Sequence, residues 1–241
     1  MKTITCFAVT VLLGCAAFAA GKPNEASGEA QPDPQWNVRV EVLMAAMPEE
    51  KALAVLPDLR DPAKIEGAVT EILKAIESKE ATLMGYPVVQ TLDGNRGVAE
   101  DICEVRYPTE FEPPTEEATV LPATRVSGTA DAYALPTAFD VRDAGSTLEV
   151  EPRVIGNGEW LLLNLVPQLV QFLGFDTYKS SGAVDGRYLS YPQPRFFTTK
   201  ETMSLKVRNG QRSLIGVHKL LDPANNIEFF ILQAIATRVG K

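Results

Sequence analysis

PTAFDVRDAGSTLEVEPRVIGNGEWLLLNLVPQLVQF, residues 136–172, reads as two long strands joined by a tight glycine turn. Thr147, Leu148, Val150, Val154 and Ile155 favour extended backbone, because branched and bulky side chains pack well on a pleated surface. Gly156, Asn157 and Gly158 tolerate the positive φ of a tight reversal, and the β pattern resumes from Trp160 to Val166. The return strand can run from Glu159 to Phe172, about 45 Å at about 3.3 Å per residue, where an ordinary strand covers about 17–20 Å. Hairpins of that length predict a barrel or an extended sheet.

The flanking segments carry further β signals. Val38, Val40 and Val42 alternate with Asn37, Arg39 and Glu41, the period of a half-buried strand that begins near Trp36. Pro48 closes it and opens a helical piece, EEKALAVL, that Pro57 stops. Asp61-Pro62 is a helix start: the carboxylate caps free amides, and proline takes the first helical position without losing a needed donor. Ile65, Val69, Ile72 and Ile76 follow at helical spacing, so residues 61–79 form an amphipathic helix resting one face on a sheet. ATLMGYPVVQTL from Ala81, the turn Asp93-Gly94, and RGVAEDICEVRYP predict a second hairpin. Phe196 to Val207 and Ser213 to Leu220 flank Asn209-Gly210, a third, and Ile227 to Val239 is a strongly apolar last strand.

Two connections separate these elements. Between Tyr107 and Pro136 lie Pro108, Pro113, Pro114 and Pro122 with Glu110, Glu112, Glu116 and Glu117, which predicts a surface excursion, because proline removes ladder donors. A second connection, rich in Gly, Ser and Tyr, runs from Gly174 to Pro194. The fold class is α+β and predominantly β: long antiparallel hairpins in a sheet or barrel segment, with one helix near 61–79.

The N-terminus carries Lys2, an apolar run from Ile4 to Leu13 and then Ala17-Phe18-Ala19, the three parts of a secretory signal over residues 1–19. Leu12-Leu13-Gly14-Cys15 admits a second reading, in which Cys15 is the lipidated first residue of the mature chain. Residues 20–35 are too poor in apolar side chains to fold and read as a flexible linker, leaving 36–241 as one β domain. No later segment approaches about 20 uninterrupted apolar residues, so no transmembrane helix is expected. The expected location is outside the cytoplasm, in the periplasm or at the outer membrane. Of Cys6, Cys15 and Cys103, only Cys103 lies clear of the signal, which excludes an internal disulfide framework. A net charge of −8 without a basic stripe argues against nonspecific nucleic-acid binding.

Catalytic constellations are missing from this pattern. His218 is the only histidine, so one chain builds neither a His-dependent triad nor a multi-histidine metal site from it, and it reads as structural or solvated. The Glu110 to Glu117 cluster lacks calcium-loop spacing and reads as a solvated acidic loop. Glu149 and Glu151 share one strand face, as the carboxylates of a glycosidase would, but any half-exposed strand shows that alternation. G-x-S-x-G, a phosphate loop and H-E-x-x-H do not occur. Cys103 reads as a small buried side chain. Trp36 and Trp160, with Phe172, Phe175 and Tyr178, fit a membrane-interface girdle, and core packing explains Trp160 equally well. No enzyme activity, cofactor or metal is expected.

In its order of elements the chain resembles the secretin domain, the channel-forming part of the outer-membrane secretins of type II and III secretion and type IV pilus systems. Trp36 to Met47 looks like the family's opening strand, and Gly85-Tyr86-Pro87 before Thr91-Leu92-Asp93-Gly94 is similar to the stretch where a small residue and proline precede a T-x-D/N turn. Phe139 to Pro152 resembles the VGxxLxVxP strand, with Gly145, Leu148, Val150 and Pro152 in place. Phe196 to Leu220, including Asn209 and Gly210, resembles the penultimate hairpin and ends in a form of G-G-L, with Ile215 for the first glycine and Gly216 for the second. The resemblance covers most of Trp36 to Val239. It implies a β-barrel to which many subunits contribute strands, and Leu161-Leu162-Leu163 then reads as a strand buried on both faces. The implied partners are further copies of the chain, or a larger secretin or pilus component, with contact to the outer membrane. The VPxLGDIPxLGxLF lip segment is absent, since Leu220 to Asn226 leads straight into the last strand, and the ring domains that precede the barrel are not seen. A truncated secretin-like protein, acting by assembly, is one reading; a soluble periplasmic binding or accessory module that kept the fold without a pore is the alternative.

Overall fold

The computed structural model describes residues 35–112, 132–133, 135–179, 189–220 and 225–239. In chain order the elements are β1 (Trp36–Pro48), α1 (Glu49–Arg60), α2 (Ile65–Glu77), β2 (Thr82–Gly85), β3 (Val88–Leu92), β4 (Gly97–Glu112), β5 (Ala132–Tyr133), β6 (Leu135–Ile155), β7 (Trp160–Lys179), β8 (Leu189–Lys200), β9 (Met203–Arg208), β10 (Arg212–Lys219) and β11 (Asn226–Arg238). The first sheet runs β10-β11-β1-β2, with β3 also on β1. The second runs β4-β6-β7-β8-β5, with β9 also on β7. The fold is predominantly β with two helices and antiparallel sheets, and the described strands do not close into a barrel.

The first sheet is the middle layer. β1 and β11 pair antiparallel from Trp36 opposite Arg238 to Pro48 opposite Asn226, and both faces of this pair are covered. Val38, Val40, Val42 and Met44 pack with Phe230 and Leu232 against Leu148, Val150, Leu161 and Leu163 of the second sheet. Leu43, Ala45 and Met47 pack with Phe229 and Ile231 against Leu59, Ile65, Val69 and Ile72 of the helices. The valine alternation of a half-buried strand therefore holds only at the start of β1, where Arg39 is exposed, and two-sided burial takes over from Val40.

Two-sided burial does not extend to the leucine run of β7. Leu161 and Leu163 are 0% exposed, but Leu162 between them is 40% exposed. The second sheet turns one face to the first sheet, and Leu162 lies on the other, partly exposed face. Pro57 does not end α1, which continues to Arg60 because Leu59 is buried in the helix-side core. A proline this close to the C-terminus removes a single helical amide bond. Asp61 opens a turn ahead of α2 and not the helix itself: its Oδ1 accepts the Ala63 N–H at 2.9 Å and its carbonyl the Ile65 N–H at 3.0 Å, but the helix begins at Ile65, one residue after its N-cap Lys64, and ends at Glu77.

The β6–β7 hairpin forms as the sequence predicts, paired from Ile155 opposite Trp160 to Gly145 opposite Val170. The other two predicted hairpins do not form. After Asp93-Gly94, β3 stays with β1 while β4 pairs with β6; after Asn209-Gly210, β9 stays with β7 while β10 pairs with β11. Both turns are crossovers between sheets. Phe196 to Val207 is also interrupted at Glu201-Thr202, with both pieces paired to β7.

The two predicted excursions are shorter than expected. β4 runs through Pro108 to Glu112, and β6 already contains Pro136. β4 is an edge strand, and register shifts between Pro108 and Phe111 absorb the proline; β6 near Pro136 has lost β7 and keeps only β4 as neighbour. Residues 113–131, with Glu116 and Glu117, lie outside the described residues. Likewise Phe175 to Lys179 pairs with Pro194 to Ser190, leaving 180–188 outside them.

Five polar side chains are buried among the described residues, Glu41, Ser146, Ser190, Thr199 and Glu228, and the last is the most enclosed. Glu228, opposite His218 on the β10–β11 ladder, is 0% exposed, and neither carboxylate oxygen makes a hydrogen bond of ordinary geometry. Burial pushes its carboxyl from the ordinary 4.5 up to about 7, partly opposed by the nearby Thr199 hydroxyl. The folded chain then holds a proton that the unfolded chain has released, so this contribution to stability is full below pH 4.5 and is lost as pH rises to about 7. That gap corresponds to about 3 kcal/mol. His218 acts in the opposite sense, since burial lowers its pKa. Chemical denaturation of the wild type and Glu228→Gln across pH 4 to 8 is expected to show a difference that grows with pH in favour of the variant; a constant difference would refute the assignment.

Candidate functional site

The residues singled out in the sequence sit mainly at the seams between the sheets. At the first seam, Asp93 donates its N–H to the Trp36 carbonyl at 3.0 Å, in the first sheet. Its Oδ1 accepts the Val154 N–H at 2.7 Å and the Gly94 N–H reaches the Pro152 carbonyl at 2.8 Å, both in the second sheet. Asp93, Gly94 and Pro152, far apart in sequence, thus form one junction.

At the second seam, the Asn209 amide Nδ2 donates to the carbonyls of Gly158 at 2.8 Å and Ala236 at 3.1 Å, and its Oδ1 accepts the Ala236 N–H at 2.9 Å. The Asn209 N–H reaches the Glu159 carbonyl at 2.9 Å and the Gly210 N–H the Ala234 carbonyl at 2.8 Å. One side chain and two backbone amides therefore tie β11 to the turn before β7.

Leu148 and Val150 are fully buried between the sheets, and Pro152 is buried beside the first seam. Gly145 has φ 135°, and a Cβ there would stand 2.1 Å from the Asp101 carbonyl oxygen on β4, so only glycine lets β4 approach β6 at this point. Gly216 leaves room for the His218 ring, whose Nε2 a Cβ would meet at 2.8 Å. Cys15 lies outside the described residues.

Beyond the seams the second sheet extends past the first. No residue from Pro136 to Gly145 on β6, or from Gln171 to Lys179 on β7, is buried. This far half carries exposed Phe139, Val141, Phe172, Phe175 and Tyr178, beside Ile102 on β4. Tyr107 and Phe111 of β4 touch Phe196 and Tyr191 of β8, with ring centroids 6.1 and 5.4 Å apart, although β6 and β7 separate those strands in the sheet. The far half is therefore curled toward itself. Arg142 reinforces the curl, its guanidinium 4.8 Å above the Phe196 ring and its Nη2 donating to Thr198 Oγ1 at 3.0 Å. The sequence suggested Phe172, Phe175 and Tyr178 as a girdle but not Tyr107, Phe111, Tyr191 and Phe196: Phe111 and Tyr191 sat in segments read as connections, and Tyr107 and Phe196 at the ends of segments read as strands. Trp36 and Trp160 belong elsewhere: Trp36 lies on Gly158 beside the core, and Trp160 lies under the Lys206 ammonium at 4.5 Å.

The remaining polar candidates do not converge on a reaction. Glu149 is paired with Arg96 at 2.6 Å. His218 Nε2 lies 3.2 Å from Glu201 Oε1, with its ring edge-on to Phe230. Cys103 is exposed on the edge strand β4, contrary to the expected burial, because β4 lies beyond the cover of the first sheet there. Among the described residues no three His, Cys, Asp or Glu side chains are placed to hold a metal ion, and no helix is long and apolar enough to cross a membrane, which leaves strands out of account.

Among solved structures the chain is similar to bacterial secretins. The type II secretion system secretin GspD of E. coli K12 matches at 11% identity and a TM-score of 0.36, over 85% of this chain and 48% of that one. The secretin-domain β-barrel of InvG from the Salmonella SPI-1 injectisome matches at 10% identity and a TM-score of 0.37, over 86% of this chain and 63% of that one. A chain of the Klebsiella pneumoniae type II outer membrane complex of PulD, PulS and the PulC HR domain matches at 10% and 0.38, over 86% and 41%. The chain thus spans about half the length of the first of these, 48%. No family model and no curated protein matches it.

The seams yield a stability test. Asn209→Ala removes three side-chain hydrogen bonds and leaves their partners unpaired, an expected loss of about 2–4 kcal/mol. Gly145→Ala is expected to cost about as much through backbone strain and overlap with Asp101. Urea midpoints would read both, and changes below about 0.5 kcal/mol would show that the seams do not hold the sheets together.

Proposed function

We propose that this protein is an exported, non-catalytic, secretin-like component associated with protein secretion or a type IV pilus system, which works by assembly with further copies or with a larger secretin. One observation carries the reading: among the described residues the second sheet runs far beyond its cover and ends in an unpaired edge, the 16-residue β4, beside exposed apolar side chains. Long unpaired edges invite strand addition, and closure from copy to copy removes them. Exposed Phe139, Phe172, Phe175 and Tyr178 would give such an assembly an apolar band for outer-membrane contact. The secretins of similar fold belong, by their descriptions, to secretion systems. Residues 1–19 serve as the export signal and 20–35 as a tether ahead of the 36–241 domain, with Cys15 as the alternative lipidated start.

A second reading, a periplasmic module without a pore, is favoured by the aromatic contacts from β4 to β8, which let one chain cover part of its own far half.

Membrane extraction in mild detergent followed by electron microscopy separates the two. Ring-shaped particles many times the 26.2 kDa of one chain are expected. Val98→Lys combined with Ile102→Lys on β4 is expected to abolish them while leaving the circular dichroism spectrum unchanged. A soluble monomer under all conditions would overturn the assembly reading.

A further inference from the structure

The Asn209-Gly210 turn sends β9 into one sheet and β10 into the other, and the two strands leave it without pairing with each other. β10 has β11 as its one strand partner, and β9 has β7, so among the described residues each keeps an unpaired edge. A groove of about 490 Å³ lies along both strands, lined by Lys206 to Arg208 of β9, Gln211 of the turn and Arg212 to Val217 of β10, with Trp160 and the end of α1 at its sides.

Its charge runs against that of the whole chain. Arg60, Lys206, Arg208 and Arg212 line it and no Asp or Glu does, in a protein of net charge −8. Glu66 and Glu159 stand at the rim, Glu66 paired with Arg212 and Glu159 lying 3.8 Å from Arg208. Arg208 is 62% exposed at its side chain, and Lys206 rests on the Trp160 ring, so both cations remain accessible to a ligand.

We propose that this groove binds an extended acidic segment of a partner polypeptide, added as a strand along β10 with its carboxylates on the Arg and Lys side chains. The two halves of the argument are independent. An unpaired edge offers alternating N–H donors and C=O acceptors, which another peptide backbone matches and a phosphate backbone, lacking N–H groups, does not. The cations then select among peptides, since carboxylates gain from them and further cations are repelled. β10 has eight residues, about 26 Å of strand, which sets the expected length of the bound segment. The site does not depend on the assembly reading, because β4 lies at the other edge of the second sheet.

Fluorescence anisotropy on the purified full chain tests this with a labelled peptide of about eight residues alternating Glu and Val. Three further probes are a Lys-Val peptide of equal length, a Glu-Val peptide with alternate backbone nitrogens methylated, and oligothymidylate. The Glu-Val peptide is expected to bind at least about tenfold more tightly than each of these, and to weaken about tenfold or more between low and 0.5 M salt. Arg208→Glu and, separately, Lys206→Glu are expected to weaken it about tenfold with an unchanged circular dichroism spectrum. Equal binding of the methylated peptide would overturn strand addition. Equal binding of oligothymidylate would overturn selection for a polypeptide, and no saturation by about 1 mM would overturn the site itself.

Discussion

The two sheets have unequal lengths, and most of the structure follows from that mismatch. β1 and β11 each have 13 residues, about 43 Å of strand, whereas β6 and β7 have 21 and 20, about 65–70 Å. Where the sheets overlap, Leu148, Val150, Leu161, Leu163 and Leu165 face Val38, Val40, Phe230 and Leu232 in a continuous apolar layer. Burying a side chain of this size is worth about 1.5–3 kcal/mol, so the overlap is the source of stability. Beyond Ser146 and Val170 no residue from Pro136 to Gly145 or from Gln171 to Lys179 is buried. The far half keeps its shape through ladder hydrogen bonds and ring contacts, and it presents apolar surface of the kind that marks interaction sites.

The seams hold that mismatch in place. Asp93 binds Trp36 in one sheet and Val154 in the other, and Asn209 ties β11 to the Gly158-Glu159 turn before β7, which fixes where the short sheet lies along the long one. A slip of either would carry the alternating core residues out of register, since each strand has only one face toward the partner sheet in this half of the second layer. The helices cover the remaining face of the first sheet from Leu43 to Met47 and from Ile227 to Ile231, so β1 and β11 are buried on both faces there.

The β6–β7 hairpin was legible because everything that specifies it is local: the Gly156-Asn157-Gly158 turn and the strands that touch it are contiguous. Asp93-Gly94 and Asn209-Gly210 were legible as reversals but not as crossovers. Such dipeptides set the backbone through the turn; which strand pairs next depends on edges offered by β6 and β11, elsewhere in the chain. For the same reason the leucine run misled, because whether Leu162 is covered depends on a layer that its own segment does not encode. The motif residues Asp93, Gly94, Pro152 and Asn209 were found without their shared role at the seams. Proline content concealed the ends of β4 and β6, where a strand with one neighbour tolerates Pro108 and Pro136. Nothing local marked Glu228 as a buried acid or set β9 and β10 apart as the walls of a basic groove.

If the uncovered half of the second sheet is completed by neighbours, the edge of β4 is where pairing occurs. Amide hydrogen exchange over Gly97 to Glu112, followed by mass spectrometry on particles extracted in mild detergent, tests this most directly. The account predicts that alternate amides of β4, fast in a dissociated chain, become as slow in the particle as those of the β6–β7 ladder. Fast exchange at those amides in intact particles would contradict it, because the edge on which assembly depends would still be open to water.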